Sequence, residues 1–356
     1  MPRPRHGIQS AGLSGGELAI SRIVLILVLV MFAVGISLGV VAWRASITAE
    51  PPPARSTPPA PGSTAPTQPA VAAPSTPPAP ADPQTAPPPA PPTPPPAAVS
   101  AKPSAVKQGD VVLVTVEGTG EAAEVSVVIT GPGSARETHR AFVSEGSARV
   151  LVPVGVTRAP GSYKVDAVAG DLKVIPAALT VEKKEFPSSR ITVDKKTVEL
   201  TQDQARVKAD QEKVKAARSR TSPEPLWNQP FTLPVDAPMG TPFGFIRYVN
   251  GVEWGRHWGI DFGARDGAPV RAANAGRVVL AEALLLSGNT IIVDHGLNVF
   301  TSYLHLSRVD VKAGGTVKRG DVIGRVGSTG FSTGSHLHWS ATVGASSINP
   351  LALLGL

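Results

Sequence analysis

The longest uninterrupted apolar stretch of the chain runs from residue 23 to residue 43. Its 21 residues carry no charge, and Arg22 and Arg44 flank it directly. At ~1.5 Å per residue a helix of this length spans roughly 31 Å, enough to cross a bilayer. The pattern predicts a transmembrane anchor behind a short cytoplasmic tail at 1–22, because the arginines of the tail outnumber Arg44 and favour an inside N-terminus.

A cleaved signal peptide is the alternative interpretation of this stretch. The apolar region of a signal peptide is usually ~7–15 residues long, and no good Ala-x-Ala site follows residue 43. An uncleaved, single-pass anchor is therefore favoured. It would place the remainder of the chain outside the cytoplasmic membrane.

Residues 44–104 are dominated by proline, alanine, serine and threonine. Between residues 51 and 100 there are 21 prolines and no aromatic residue. Such a tract cannot bury a core, so we expect a disordered or polyproline II linker. Its functional interpretation is a spacer; a polyproline ligand for a partner domain is the alternative.

Residues 105–184 alternate apolar and polar positions in short runs. The runs are 111–116, 125–129, 148–152, 163–168 and 178–181, and glycine, proline and charged turns separate them. This spacing predicts a small β-sandwich, and an immunoglobulin-like architecture is our guess for its type. No catalytic constellation is visible here, so a spacer, wall-binding or regulatory role is expected.

Residues 185–224 are predicted to be a partly helical connector. Thr201 followed by Gln202, Asp203 and Gln204 is a helix start signal, and helix-forming residues continue to about Arg218. Apolar positions are sparse, which indicates an exposed helix. Its basic residues are expected to form a solvated face, with contact to anionic polymers as the alternative; they are Arg206, Lys208, Lys213, Lys215 and Arg218.

Residues 225–356 are predicted to form a series of β-strands. The runs at 276–281, 289–293, 299–304 and 322–326 are apolar and β-branched, and glycine turns separate them. The pattern predicts a mainly antiparallel β fold with a groove. With the β-sandwich before it, the fold class of the whole chain is mainly β.

Composition narrows the chemistry that is open to this chain. There is no cysteine, so a disulfide framework and thiolate ligands are excluded, and a zinc site would need histidine and carboxylate. The net charge of +7 fits either a solvated basic surface or attraction to an anionic envelope. No basic and aromatic cluster indicates nucleic-acid binding.

Four of the seven histidines stand in three short stretches of the last domain. They are His257-x-x-x-Asp261, Tyr303-Leu304-His305 and His336-Leu337-His338. His-x-x-x-Asp together with His-x-His is a plausible three-ligand zinc set with one position left for water. On strands, residues two or four apart point to the same face, so His336 should face the same way as His338, and His257 the same way as Asp261.

These stretches resemble the lysostaphin/LytM family of zinc endopeptidases, which cut peptide bonds in bacterial peptidoglycan. The resemblance runs from about Pro238 to Pro350 and includes Thr241-Pro242-Phe243-Gly244, the run Gly288 to Gly296 and Gly327-Ser328-Thr329-Gly330. It implies the duplicated hybrid motif fold. It also implies that His257, Asp261 and His338 bind Zn²⁺ and that His305 and His336 act on the water and the transition state.

Two positions depart from the family pattern, and three others have competing interpretations. Leu304 and Trp339 replace residues that are commonly Gly and Phe, and either change could reshape the groove. Tyr303 could donate to the intermediate, but a core role is favoured. His295 is expected to be structural, and Asn289 either binds substrate backbone or serves a turn; none of these three is included among the predicted site residues.

The sequence therefore predicts a bacterial, membrane-anchored zinc metalloendopeptidase that hydrolyses peptidoglycan in the periplasm or cell wall. The alternative is a non-catalytic scaffold or activator of another wall hydrolase. All five ligand-type residues are present, which favours the enzyme. A latent enzyme, with its groove covered by the connector or the β-sandwich, lies between the two. The bond that is cut stays open among glycyl bridges, D-alanyl cross-links and stem peptides.

Overall fold

Strands dominate the part of the chain that this computed structural model describes, residues 96–356. The predicted cytoplasmic tail and transmembrane anchor, and almost all of the predicted linker, lie outside the described residues. A search of residues 96–356 for a helix of sufficient length and hydropathy to span a membrane finds none.

The first described region consists of short strands joined by turns. They are β1 (Ala97–Lys102), β2 (Ala105–Lys107), β3 (Val111–Glu117), β4 (Val125–Thr130), β5 (Arg136–Ser144), β6 (Ser147–Pro153), β7 (Gly161–Val168), β8 (Val174–Ile175) and β9 (Ala177–Glu182). The strand order is β2-β9-β7-β4-β5-β6-β3-β1-β8.

Strand β5 links two layers of this region. Its first part pairs with β4 and its last three residues pair with β6. Alternate side chains of β3 and β4, such as Val114 and Val127, are buried in one shared apolar core. Two layers around one core are the arrangement of a small β-sandwich. The immunoglobulin-like label stays a prediction.

The predicted linker extends too far into this region. Residues 97–102, assigned to the disordered tract, form β1, which pairs antiparallel with β3. Ala97, Val99 and Ala101 alternate inward and are buried. The composition of this strand does not distinguish it from the linker, because alanine, serine and valine are also common in the proline-rich tract before it.

The connector contributes one strand and two helices. They are β10 (Ser188–Ile191), α1 (Lys195–Glu199) and α2 (Gln204–Ala217). The Asp203 carboxylate caps α2 by accepting a hydrogen bond from Arg206 N, so the helix begins slightly later than the Thr201 signal indicates. Strand β10 pairs in parallel with a strand of the last region, so the connector is not a free link.

The last region consists of short strands joined by turns. Its strands are β11 (Ile246–Val249), β12 (Val252–Arg256), β13 (Ile260–Phe262), β14 (Pro269–Arg271), β15 (Gly276–Leu284), β16 (Gly288–Asp294), β17 (Val299–Leu306), β18 (Arg308–Val309), β19 (Thr316–Val317), β20 (Val322–Arg325), β21 (Leu337–Val343) and β22 (Ser346–Ile348). A 3₁₀ helix, Pro350–Gly355, ends the chain.

The main sheet of this region has the order β13-β21-β17-β16-β15-β19, with β22 added to β21. Its neighbouring strands pair antiparallel. One face carries Ile291, Tyr303 and Trp339 into the large core. The opposite face carries Ile292 and Phe300, and helix α2 packs on it through Val214 and Ala217.

The two strand regions share part of their core. Val111 and Leu151, on β3 and β6, are buried in the same cluster as Phe231, Val235 and Phe243 of the last region. The backbone N–H of Asn349 donates to the Gly109 carbonyl over 2.6 Å. Residues 96–356 belong to one compact unit.

Candidate metal and catalytic site

Successive side chains of strand β21 alternate between the hydrophobic core and the candidate site. Leu337, Trp339 and Ala341 are buried in the core on one face. His338 and Ser340 point to the other face, because successive side chains of a strand alternate. We call this second surface, on β21 and its neighbours β13 and β17, the site face.

Three ligand-type side chains meet on the site face. His257 Nε2 lies 2.9 Å from Asp261 Oδ1, and His338 Nδ1 lies 2.8 Å from the same oxygen. The two ring nitrogens are 3.0 Å apart. Strand β13 positions Asp261 directly opposite His338 of β21. In residues 96–356 these are the residues whose donor atoms cluster closely enough to hold a metal ion.

This geometry fits a tetrahedral zinc ion. Ligand atoms at ~2.0–2.1 Å from zinc lie about 3.3 Å from one another. The three observed separations, 2.8, 2.9 and 3.0 Å, are slightly shorter, so a small expansion would seat the ion. Two imidazoles and one carboxylate are also a donor set that catalytic zinc uses, and His257 and Asp261 are nearly closed to solvent.

Backbone contacts orient the first of these ligands. His257 Nδ1 lies 3.0 Å from the Pro242 carbonyl oxygen. A carbonyl only accepts, so Nδ1 carries the proton and the Nε2 lone pair faces the other two ligands. Histidine ligands of metals commonly have such a hydrogen bond on the remote nitrogen, because it fixes the tautomer.

Asp261 is held from its other side by an arginine. Arg247 Nη2, on β11, donates to Asp261 Oδ2 over 3.0 Å, and both side chains are mostly buried. Oδ1 is thereby left to face the histidines. Sequence reasoning missed Arg247, because it lies outside the histidine motifs and only the fold brings β11 beside β13.

The predicted strand that would carry both His257 and Asp261 is not continuous. Strand β12 ends at Arg256 and β13 begins at Ile260, so His257 lies between them. Only glycine fits at position 259. An added Cβ there would lie 2.4 Å from His338 Nε2 and 2.7 Å from the Trp339 carbonyl oxygen. The two ligands converge through this close-packed turn.

His305 and His336 lie beside the ligand cluster. Their ring centroids are 4.8 Å apart, and the His305 ring is 6.1 Å from that of His338. His336 Nε2 is 3.9 Å from Asp261 Oδ1. His336 precedes β21 rather than lying in it, and its backbone N–H donates to the Gly327 carbonyl.

Both of these histidines have the same protonation pattern. His305 Nδ1 lies 2.8 Å from the Thr329 carbonyl oxygen, and His336 Nδ1 lies 2.8 Å from that of Gly334. Each Nδ1 therefore donates, which leaves Nε2 as the nitrogen that can accept or release a proton. His305 has a left-handed backbone, with φ of 62°, which is unusual for a residue other than glycine.

Burial and the mutual contacts shift the titration of the site. Burial lowers the pKa of His305 to about 3, and it also lowers the pKa of His338. Burial alone would raise the pKa of Asp261, but hydrogen bonds and charges from His257 and His338 bring it well below its usual range. At neutral pH His305 and His338 are therefore neutral beside an ionised Asp261, which is the ionisation state that metal binding requires.

Three residues with competing interpretations prove to be structural. Tyr303 is fully buried, and its hydroxyl accepts from Ala273 N and lies 3.0 Å from the Thr301 hydroxyl. His295 is also fully buried; its Nδ1 donates to the Ala275 carbonyl, and burial lowers its pKa to about 4. Asn289 Nδ2 donates to the Leu306 carbonyl, so it joins the start of β16 to the end of β17. The favoured interpretations of Tyr303 and His295 are confirmed.

The two departures from the family pattern have different positions. Trp339 is fully buried and packs against Phe262 in the core, so it does not line the groove. The expectation that it reshapes the groove is wrong, because it has the opposite parity to His338 on β21. Leu304 pairs directly with His338 and is half-buried on the site face.

Comparison with known proteins gives a family for this region. Residues 255–350 match the model of peptidase family M23. The chain is 39% identical over 115 residues to the DD-carboxypeptidase/endopeptidase Mpg of Neisseria meningitidis serogroup B, covering 32% of this chain and 26% of that protein. It is 40% identical over 95 residues to the peptidoglycan DD-endopeptidase ShyA of Vibrio cholerae, covering 27% of this chain and 22% of that protein.

A solved structure matches the same region. The catalytic domain of the antimicrobial peptidase lysostaphin from Staphylococcus simulans is 34% identical, with a TM-score of 0.31. The match covers 34% of this chain and 93% of that domain. The chain thus spans about a quarter of the curated relatives' length, but nearly all of a catalytic domain.

Proposed function

We propose that the chain, whose residues 255–350 match the model of peptidase family M23, is a zinc-dependent endopeptidase that hydrolyses peptide bonds in bacterial peptidoglycan. The relatives named as peptidoglycan or DD-endopeptidases support this substrate class. The observation that carries the proposal is the convergence of donor atoms of His257, Asp261 and His338 to within 3.0 Å of one another, with the rings of two further histidines beside them.

The proposed ligands are His257 through Nε2, Asp261 through Oδ1 and His338 through Nδ1. A zinc ion bound by them would polarise the scissile carbonyl and activate water for attack. Arg247 would keep Asp261 Oδ1 on the metal by holding Oδ2. The Pro242 carbonyl would do the same for His257 through Nδ1.

The proposed proton-handling groups are His305 and His336. Each has its Nδ1 proton committed to a backbone carbonyl, so each Nε2 can accept a proton and later return it to the leaving amine. The pKa of His305, lowered to about 3 by burial, makes it a weak base but a strong acid once protonated, which suits return of the proton to the leaving amine. The same Nε2–H, once formed, can hydrogen-bond the developing oxyanion.

We also propose that the chain acts outside the cytoplasmic membrane, tethered by an anchor at residues 23–43. The uncharged length of that stretch and a family that acts on peptidoglycan support this location. The proline-rich tract would then act as a spacer between the anchor and the folded region.

The test is hydrolysis of purified peptidoglycan by the full chain with zinc, with products read by mass spectrometry. We expect new amine ends from the wild type and none from His338→Ala, which removes one of three ligands. His139→Ala is the matched control, because His139 lies on β5 and contacts Glu137 rather than the site. Full zinc occupancy without new amine ends would contradict the proposal.

The second candidate, a scaffold or activator without its own catalysis, is the weaker one. A scaffold needs neither a complete donor set nor the two histidines with free Nε2 atoms. The zinc content of the purified chain distinguishes the endopeptidase from the scaffold. Less than stoichiometric zinc after mild purification would favour the scaffold.

A further inference from the structure

The site face continues beyond the metal site along β21 and β17. Ser340 follows His338 on the same face, and Ser302 of β17 lies directly opposite Ser340. Leu304, between them and the metal site, is half-buried, as is Ser340. Helix α2 covers the far part of this face, and Ser302, at the edge of the covered part, is buried with 2% exposure, so the half-buried strip ends where the C-terminus of α2 meets β17.

Arg218 stands at that end of the strip. It follows the last residue of α2, and its Nη2 donates to the Ser302 hydroxyl over 2.8 Å. The prediction of a solvated basic face is wrong for this residue, because the end of α2 turns its side chain onto the sheet. Lys215, one turn earlier, has 61% of its side chain exposed and pairs with Glu212 instead.

The Arg218 guanidinium lacks an anionic partner within residues 96–356. Its described side-chain contact is neutral, and burial is the cause that lowers its pKa to about 10, which leaves it charged at neutral pH. Its Nε is buried without a hydrogen-bond acceptor. Partly buried charges normally have a counter-charge, so the missing one points to a ligand.

We propose that Arg218 is a substrate-binding residue that receives a carboxylate of the peptide, and this inference rests on the proposed endopeptidase function. The planar guanidinium is suited to bidentate carboxylate recognition. A carboxylate over the strip would supply the missing counter-charge. The Ser302 hydroxyl would hold the guanidinium in place while its other nitrogens bind the substrate.

The position of Arg218 determines how far the substrate carboxylate should lie from the scissile amide. Two residues along a strand cover about 6.6 Å and neighbouring strands lie ~4.8 Å apart, so Ser302 is roughly 8 Å from His338. An extended peptide crosses that distance in two to three residues. The preferred substrate therefore carries a carboxylate two to three residues from the scissile amide, which an all-glycine bridge does not have.

The experiment compares two forms of one probe. A cross-linked muropeptide dimer with free carboxylates and the same dimer after conversion of its carboxylates to amides are incubated with the full chain. Both kcat/KM for hydrolysis and equilibrium binding by calorimetry are measured. The variants are Arg218→Gln, Arg218→Lys and Lys215→Gln, and the thermal unfolding midpoint of each is recorded.

We expect the wild type to prefer the free-carboxylate dimer about 10- to 100-fold, the range of one charged hydrogen-bonding contact. Arg218→Gln should remove this preference by lowering kcat/KM for the free-carboxylate dimer to the value that the same variant has for the amidated dimer. Arg218→Lys should restore part of it, because it keeps the charge but loses the fork. Lys215→Gln should behave like the wild type.

Several outcomes would overturn the inference. They are equal losses on both dimers in Arg218→Gln, a preference that survives in that variant, or a wild type without preference in binding and hydrolysis. Failure of the proposed function is recognised separately. It gives no new amine ends from either dimer, whereas carboxylate-dependent binding that Arg218→Gln abolishes would still support the subsite.

Discussion

Each oxygen of the Asp261 carboxylate has its own partner. Oδ1 faces the two ligand histidines and Oδ2 accepts from Arg247. A carboxylate held from one side cannot rotate freely, so its metal-facing lone pairs are oriented before an ion arrives. Mutation of such outer contacts typically costs 10- to 100-fold in metal affinity.

We therefore expect Arg247→Met to weaken zinc binding about 10- to 100-fold, because Asp261 loses its orienting partner while the aliphatic packing is kept. Competition with a chelator of known affinity measures this without reference to catalysis. Arg190→Met is the matched control, because Arg190 stacks on Tyr248 of the same small sheet and does not contact Asp261. Equal zinc affinity in wild type and Arg247→Met would rule out the orienting role.

At this scale the sequence predicts the histidines and the aspartate well, and the arginines poorly. The five site residues are recognisable because their chemistry requires those residue types at short, motif-like spacings. Arg247 and Arg218 reach the site from β11 and from the end of α2. Their contacts depend on how distant elements pack, which no local pattern encodes.

Elements are predictable where their burial is one-sided and apolar. β3, β4, β6, β7 and β9 lie at the predicted runs, with ends shifted by one or two residues. Strand β5 is absent from the predicted runs because its sequence, from Arg136 to Ser144, is mostly polar and only one of its nine residues is fully buried. Strand β10 was missed because its four residues gain their structure only from pairing with β11.

The docking of α2 has an anchor that can be tested. The Asp210 carboxylate accepts a hydrogen bond from Leu285 N, in the turn between β15 and β16, over 2.6 Å. We expect Asp210→Ala to lower the free energy of unfolding by about 1–2 kcal/mol, since a partly buried N–H loses a charged acceptor. Urea unfolding measures this.

Glu212→Ala serves as the control for that experiment. Glu212 is on the same helix, but 63% of its side chain is exposed and its partner is Lys215. We expect a change within about 0.5 kcal/mol, as for other exposed ion pairs. If both variants unfold at the same urea concentration, α2 is not held by Asp210.

At the scale of the whole molecule, the sequence predicts two successive β regions but not that they share a core. Composition and turn spacing separate them at the connector. The side chains that join them, Val111 and Leu151, lie on strands whose pattern equally fits a self-contained sandwich. Which apolar side chain faces a neighbouring region is decided by tertiary packing.

The shared core predicts that the two regions unfold together. Leu151 is almost fully buried in the core of the last region, so Leu151→Ala should cost about 2–5 kcal/mol. Four of the five tryptophans lie after residue 225 and the fifth is Trp43, so with Trp43→Phe as the common background tryptophan emission reports on the last region alone.

We expect denaturant unfolding followed by this emission to shift to lower denaturant in Leu151→Ala, although the substitution is on β6. Leu172→Ala, at an exposed leucine in the same β region, should leave the transition unchanged. An unshifted transition in Leu151→Ala would mean that the two regions unfold independently.

The alternation along β21 limits how this gene can change in length. Even-numbered positions 338, 340 and 342 serve the site face, and odd-numbered positions 337, 339, 341 and 343 serve the core. Insertion or deletion of a single codon within the strand would exchange these roles, sending a histidine toward the core and a tryptophan toward the substrate. Length variation among functional descendants of this chain should therefore fall in the turns around β21 and not inside it.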